Sequence, residues 1–294
     1  MGVLDGRVAI VTGAGRGLGR AHALALAQAG ARVVVNDAGV DVDGRPGDTD
    51  PAGAVTAEIV ARGGVAVANR DDVADWDGGR RVVESAIGTF GALHVLVNNA
   101  GILRDRALVN LDEDDWDAVM RVHLKGHFVP TRFAAAYWRA NAHAGVELRP
   151  AVVNTTSTSG LQGNPGQAHY GTAKAGIAAF TIIAAKELAR YGVRVNAVSP
   201  AARTRMTATL ASLSELFKPP EDPETFDIWD PANVSPVVVA LASAACPVTG
   251  EVFQVQGGRI QRFVPWTLGE ALEQSGRWTP EQLAGALAGL TREA

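Results

Sequence analysis

The chain has 294 residues, 47% hydrophobic and 20% charged, with a formal net charge of -4. That length holds one large α/β domain or two small ones, and the composition is that of an ordinary soluble globular protein. The net negative charge argues against a nucleic-acid surface. The single cysteine, Cys246, excludes an internal disulfide and fits a reducing compartment, where it reads as a small packing residue.

The N-terminal MGVLDGRVAIVTG enters a strand pattern directly, without a basic segment and long apolar run. No run of about 18 apolar residues occurs, so no transmembrane helix is predicted and a cytoplasmic location is expected. Strands are predicted at Arg7–Val11, Arg32–Asn36, Val65–Asn69, His94–Asn98, Ala151–Thr155, Arg194–Ser199 and Glu251–Val255. Several are nearly continuous apolar runs, as in strands buried on both faces of a parallel sheet. Helices are predicted between them at Leu18–Ala29, Pro51–Arg62, Asp75–Phe90, Asp112–Asn141, Tyr170–Arg190 and Pro231–Ser243. This alternation predicts a doubly wound α/β sheet with ligands at the strand C-terminal ends.

After the first strand, Thr12-Gly13-Ala14-Gly15-Arg16-Gly17-Leu18-Gly19 opens a helix. Glycines allow close backbone approach to a pyrophosphate, and the helix N-terminus offers N–H donors to it. Asp37 ends the second strand, where a carboxylate accepts from ribose hydroxyls and repels a 2′-phosphate, so NAD is expected rather than NADP. Arg16 and Arg45 temper that preference, since an arginine there suits the extra phosphate. The Gly-, Asp- and Pro-rich Asp41–Asp50 reads as a loop insert. Asp72 and Val73 are candidates to read an adenine edge, with helix capping as the alternative for the aspartate. Asn98-Asn99-Ala100-Gly101 ends the fourth strand with small residues that bring backbone near a cofactor, and Asn98 can tie neighbouring strands together.

The stretch Asn154–Lys174 carries Ser157 ahead of Tyr170 and Lys174, which lie one helical turn apart. A phenol titrates near 10 when free, and a nearby cation lowers that value. Tyr170 then serves as acid/base for an alcohol, Lys174 sets its charge and holds a nicotinamide ribose, and Ser157 hydrogen-bonds the substrate oxygen. Within Ala201–Asp230, Met206, Leu210, Leu213 and Phe217 fall at helical spacing; a helix on the core and a mobile lid over substrate are the alternatives. Beyond Gly258 a tail of residues 259–294 follows the Rossmann-type domain of residues 1–258. Its Thr279-Pro280-Glu281-Gln282 reads as a helix start, with Trp266 and Trp278 as apolar anchors. The histidine and cysteine spacing suggests no metal site.

TGAGRGLG, NNAG, Ser157 and YGTAK, in this order, resemble the short-chain dehydrogenase/reductase family over roughly Leu4–Gly258. The resemblance implies one Rossmann-type domain with a seven-stranded parallel sheet, the Ser–Tyr–Lys roles above, and a homodimer or homotetramer. VVVNDAG, NNAGILRDRAL, DEDDWDAVMRVHLKG and GNPGQAHYGTAKAG further resemble the dehydrogenase part of peroxisomal multifunctional β-oxidation enzymes. That implies NAD-dependent conversion of (3R)-hydroxyacyl-CoA to 3-ketoacyl-CoA, with a hydroxysteroid or another alcohol as the alternative substrate. A nucleotide-binding sensor without chemistry is the non-enzymatic alternative, and the joint presence of Ser157, Tyr170 and Lys174 argues against it. Two departures from the family pattern stand out. His123 stands where many family members have an asparagine that helps a proton relay largely through backbone geometry. The β-oxidation subgroup also has histidine here, and a relay residue and a structural helix histidine are the alternatives. Pro200-Ala201 replaces Pro-Gly beside the nicotinamide carboxamide, where Thr204 and Thr207 are both candidates for contact.

Overall fold

The computed structural model describes residues 2–47, 49–204, 217–222 and 224–290. It comprises a compact unit, Met1–Phe263, and a C-terminal unit, Val264–Ala294. The strands are β1 (Val8–Thr12), β2 (Arg32–Asn36), β3 (Val65–Asn69), β4 (Val95–Asn98), β5 (Ala151–Thr155), β6 (Arg194–Ala201), β7 (Val252–Gln256) and β8 (Arg259–Arg262). They form one sheet in the order β3-β2-β1-β4-β5-β6-β7-β8. Seven are parallel, as the sequence leads one to expect. The eighth is an addition: Gly257, at φ +51, turns the chain back so that β8 pairs antiparallel with β7. Its four residues are all exposed, so β8 lacks the apolar signature that marks the other strands.

The continuous apolar strands serve two cores at once. Val8, Ile10, Val34, Leu96 and Val152 face α3 (Trp76–Phe90), α5 (Gly126–His143) and α7 (Ala168–Leu188). Their neighbours Ala9, Val11, Val33, Val35 and Val97 face α1 (Gly17–Gln28), α2 (Pro51–Ala61) and the helix Ser235–Ala242. Each fully buried side chain of this kind contributes roughly 1.5–3 kcal/mol of transfer free energy. Helix ends are set by local chemistry. Asp75 caps α3 by accepting from the Gly78 amide, and Gly91 ends it in the left-handed conformation at φ 82.

The helix expected over Asp112–Asn141 is interrupted. α4 (Glu113–Met120) leads into one π-helical turn, Arg121–Lys125, before α5 begins. The wide turn carries His123 into the interior, where it is 1% exposed. The insert after β2 is also more ordered than a plain loop. Val40 bridges Pro46, the Leu103 amide donates to Val42 O at 2.8 Å, and Arg104 Nε donates to Asp43 O at 2.8 Å.

In the C-terminal unit Thr279 and Gln282 form the reciprocal cap expected of them at the start of the helix Pro280–Ala286. Trp266 is exposed. Among the described residues no helix is long and apolar enough to cross a membrane. The order in which strands are added reverses between β1 and β4, which run parallel, so the loops after β1, β4, β5 and β6 open one crevice at the sheet's C-terminal edge.

Candidate active site

A cleft of about 460 Å³ occupies that crevice. Gly13, Arg16, Gly17, Leu18 and Gly19 line one end, and Ser157, Tyr170 and Lys174 the other. The glycines do different things. A Cβ on Gly19 would lie 2.1 Å from Gly13 O, and one on Gly13 would lie 2.7 Å from Ala100 Cα. These two positions are required for packing the loop onto α1 and the β4 end. Gly17, at φ +52, has Thr204 Cγ2 as its nearest neighbour at 3.8 Å, so its face stays open. This open, amide-rich cradle at a helix N-terminus fits a dinucleotide pyrophosphate.

Asp37 is half-buried beside the cradle. Its Oδ2 accepts from the Gly15 amide at 2.8 Å and its Oδ1 from the Gly39 amide at 2.9 Å. Each oxygen retains a lone pair for a ribose hydroxyl. Arg16 is tied to the insert: it donates to Thr49 Oγ1 at 2.6 Å and to Val40 O at 3.4 Å. Arg45 is largely solvated and lies 3.3 Å from Asp43. Asp72 accepts from the Ala74 amide at 2.8 Å, pairs with Arg121 and faces the cleft beside Val73; the helix cap is Asp75 instead.

The end of β4 is fastened to its neighbours. Asn98 Nδ2 donates to Asn154 Oδ1 and to Thr131 Oγ1, each at 2.9 Å, which ties β4 to β5 and α5. Asn99 Nδ2 donates to Thr12 O at 3.1 Å and Gly13 O at 3.2 Å, locking the two loops on either side of the cradle. Asn99, Ala100 and Gly101 all line the cleft, as does Pro200 at the end of β6.

Tyr170 and Lys174 lie on the inner face of the first turns of α7. Lys174 is 3% exposed, its Nζ donates to Thr155 O at 2.6 Å, and it stands 5.6 Å from the Tyr170 ring centroid. Burial pushes the ammonium down to about 7. Burial also pushes the phenol up to about 12, against the Ser157 hydrogen bond and with the help of the Asp105 charge. The cation-lowered phenol expected from the sequence thus meets an opposing effect, since desolvation by burial is the largest influence on Tyr170 and raises it. Ser157 begins the short helix α6 (Thr158–Leu161), and its Oγ accepts from the Ser159 amide at 3.2 Å.

His123 packs edge-on against Tyr170 with centroids 5.1 Å apart, and its Nε2 lies 2.7 Å from Ile102 O. Burial and the Lys174 charge hold it neutral, at about 3. A Cβ on Gly101 would lie 2.4 Å from His123 Cε1, so the imidazole occupies the space that any side chain at 101 would need. Contrary to the histidine spacing read from the sequence, His127 stands four residues after His123, a spacing common in metal sites; its Nε2 faces the Thr155 amide at 3.4 Å.

Some cleft residues carry little signal in the sequence. Trp229 and Phe217 meet edge-on at 4.7 Å and form an aromatic wall, and Arg203 pairs with Asp227 beneath it. Val42 and Gly44 of the insert also line the cleft, as do Asn164 and Gln167 ahead of Tyr170. The position of Gln167, one helical turn before Tyr170, is the sequence signal for it. Of the segment expected to be a lid or a core helix, Met206, Leu210 and Leu213 lie outside the described residues, as does Thr207; Thr204 faces the cleft.

A Rossmann-type cradle beside a Ser–Tyr–Lys set with a buried lysine defines a class of oxidoreductase acting on CH–OH groups. Comparison with known proteins agrees. Residues 7–214 match the family model described as short chain dehydrogenase, and the chain belongs to that family. A hydroxyacyl-CoA dehydrogenase from Mycobacterium tuberculosis is 43% identical over 288 residues, covering 97% of this chain and 88% of that protein. Peroxisomal multifunctional enzyme type 2 from Mus musculus is 40% identical over 94% of this chain, which spans only 35% of that enzyme. A crystal structure of a short chain dehydrogenase from Mycobacterium avium superposes with a TM-score of 0.87 at 50% identity, covering 98% of this chain and 95% of that one. The family and its fold imply a nicotinamide coenzyme.

Lys174 binds its proton more weakly folded, at about 7, than the ordinary lysine value of 10.5 at which it titrates unfolded. Between those two values the unfolded chain carries more protons, so this group makes stability rise with pH. Lys174→Met is expected to remove that part of the slope. Urea midpoints of both proteins from pH 7 to pH 10 check it, and parallel curves would contradict the burial of a titrating ammonium.

Proposed function

We propose that the chain oxidises a secondary alcohol with NAD, and that the alcohol is a (3R)-hydroxyacyl-CoA converted reversibly to the 3-ketoacyl-CoA. The observation that carries this reading is the convergence of Ser157, Tyr170 and Lys174 at the far end of the dinucleotide cradle. A bound nicotinamide coenzyme supplies a hydride acceptor for the alcohol carbon. The chain's own groups handle the oxygen. Ser157 Oγ donates to it, and Tyr170 Oη takes its proton. Lys174, held on Thr155 O beside the phenol, is placed to hold a ribose hydroxyl and to favour phenolate whenever it carries its proton. His123, neutral and fixed on Ile102, supports the Tyr170 ring and acts as a relay only through uncharged imidazole.

The thioester assignment is supported by the name of the Mycobacterium tuberculosis relative and by the Phe217–Trp229 wall, which suits an apolar acyl chain. A second arm is favoured by 40% identity to a 3-oxoacyl-[acyl-carrier-protein] reductase from Synechocystis, of which the match covers 99%. In that case the thioester would be carried on a protein. A hydroxysteroid is the alternative outside thioesters.

A panel of hydroxyacyl-CoA, acyl-carrier-protein, hydroxysteroid and small alcohol substrates, each with NAD and NADP, separates these readings. Hydroxyacyl-CoA with NAD is expected to give the highest kcat/KM, and efficient steroid oxidation without thioester turnover would reverse the order. Tyr170→Phe should lower kcat by about 10²–10⁴-fold while NADH binding stays intact; near-normal turnover would remove Tyr170 from its role.

The coenzyme preference rests on Asp37, with two free lone pairs, and on Arg16 being engaged by the insert. Asp37→Ala is expected to cut the NAD over NADP ratio of kcat/KM by about tenfold or more. An unchanged ratio would overturn the assignment.

Subunit association is proposed through the outer face of α3, α5 and α7. There Trp76, Phe128 and Phe180 are in ring contact, and Trp76, Phe128 and Ile183 are exposed. An apolar patch of this kind marks a protein contact. Sedimentation velocity should report a dimer or tetramer, and Phe128→Glu should shift it towards monomer; a monomeric wild-type protein would discard this interface.

A further inference from the structure

The loop after β4 carries Arg104-Asp105-Arg106, and its chemistry is divided between two sides. Both arginines pair with Asp115 of α4, which is 6% exposed. Asp105 turns the other way, towards the N-terminus of α7. There Gln167 Nε2 donates to Asp105 Oδ2 at 2.7 Å, while Gln167 Oε1 accepts from Asn164 Nδ2 at 2.8 Å. Backbone contacts run alongside: the Arg106 amide donates to Gly166 O at 3.0 Å, and His169 Nε2 lies 2.9 Å from Arg104 O. The two segments are thus stitched together up to the residue before Tyr170.

Gln167 is the N-cap residue of α7, is 8% exposed, and lines the cleft with Tyr170. An amide presents a donor at one end and an acceptor at the other, and only its partners decide which end faces where. A carboxylate accepts but does not donate. Asp105 therefore forces the Gln167 nitrogen towards itself and leaves the oxygen for Asn164.

The same carboxylate also acts on Tyr170, among groups that favour its phenolate. Tyr170 lies in the first turn of α7, where the helix dipole favours phenolate. Lys174 stands below it on the same helix, Ser157 hydrogen-bonds it from the β5 side, and neutral His123 packs against its edge from the π turn. His169, on α7, faces Asp105 itself. Against these, Asp105 contributes the negative charge that reaches the phenol.

We propose that Asp105 is a positioning residue for the proton-transfer site: its carboxylate orients Gln167 at the cleft wall and sets the charge balance around Tyr170. The inference rests on Tyr170 being the acid/base. Its consequence is a stronger but less populated base in the wild-type protein, since a negative neighbour disfavours phenolate.

The test uses the full chain with NAD and the best alcohol from the substrate panel. Asp105→Asn keeps an oxygen for Gln167 but loses the charge. The acidic limb of its log kcat against pH is expected to move down by about half a unit to one unit, with KM within about twofold of wild type. Asp105→Ala loses both functions, so its limb should move likewise and its KM rise by roughly five- to twentyfold. Asp105→Glu should restore the wild-type limb. NADH affinity, measured by fluorescence, should be unchanged in all three. A merely structural role would lower activity at every pH without displacing the limb. An Asp105→Asn profile that superimposes on wild type, with Tyr170→Phe inactive, overturns the inference alone. Normal turnover by Tyr170→Phe overturns the acid/base reading, and this inference with it.

Discussion

The site depends on keeping an ammonium and a phenol out of water side by side. Moving a charged amine from water into protein costs several kcal/mol unless it is paired or hydrogen-bonded. Among the described residues no carboxylate pairs with Lys174; it has the Thr155 carbonyl, at the C-terminal end of β5. The strand end therefore determines where the lysine sits, and helix α7 determines where the phenol sits relative to it. The same stretch also fixes the helix to the strand from the other side, since Thr156 Oγ1 donates to Lys174 O at 2.7 Å. Both residues are left with perturbed protonation, which is the usual mark of groups placed for proton exchange rather than for stability.

Around that pair the molecule is organised by the reversal between β1 and β4. The reversal opens the crevice, and side-chain amides hold its edges at fixed separation. Asn98 and Asn99 fasten the β4 end to β5 and to the glycine loop, while the insert after β2 folds across to Leu103 and Arg104. The loop following β4 thus touches the glycine-loop end of the cleft through the insert and the Tyr170 end through Gln167. A displacement of this loop would be felt at both ends of the cleft, which is a physical reason for its several backbone and side-chain ties.

Much of this architecture is legible in the amino-acid sequence itself. The strands declare themselves because burial on two faces leaves no polar positions, and the glycine loop because strand, turn and helix follow one another at fixed spacing. Ser157, Tyr170 and Lys174 are legible from spacing along one helix and its approach. What stays hidden depends on contacts distant in sequence. β8 is four exposed residues whose only reason to be a strand is β7 beside it. The π turn at Arg121–Lys125 obeys no periodicity that differs visibly from an α-helix. The partner of Asp105 lies 62 residues away, and the protonation of Tyr170 reflects desolvation, which a sequence does not display.

The edge of the His123 ring against Gly101 bears on how this site can change over generations. With imidazole in place, a methyl at position 101 would sit 2.4 Å from a ring carbon, so alanine there is barred. A smaller residue at 123 would lift the bar. The two positions are thus ordered in time: 123 must shrink before 101 can grow, and a lineage that fills 101 first loses the ring's place beside Tyr170. Glycine at 101 and imidazole at 123 are, in this chain, a single linked choice.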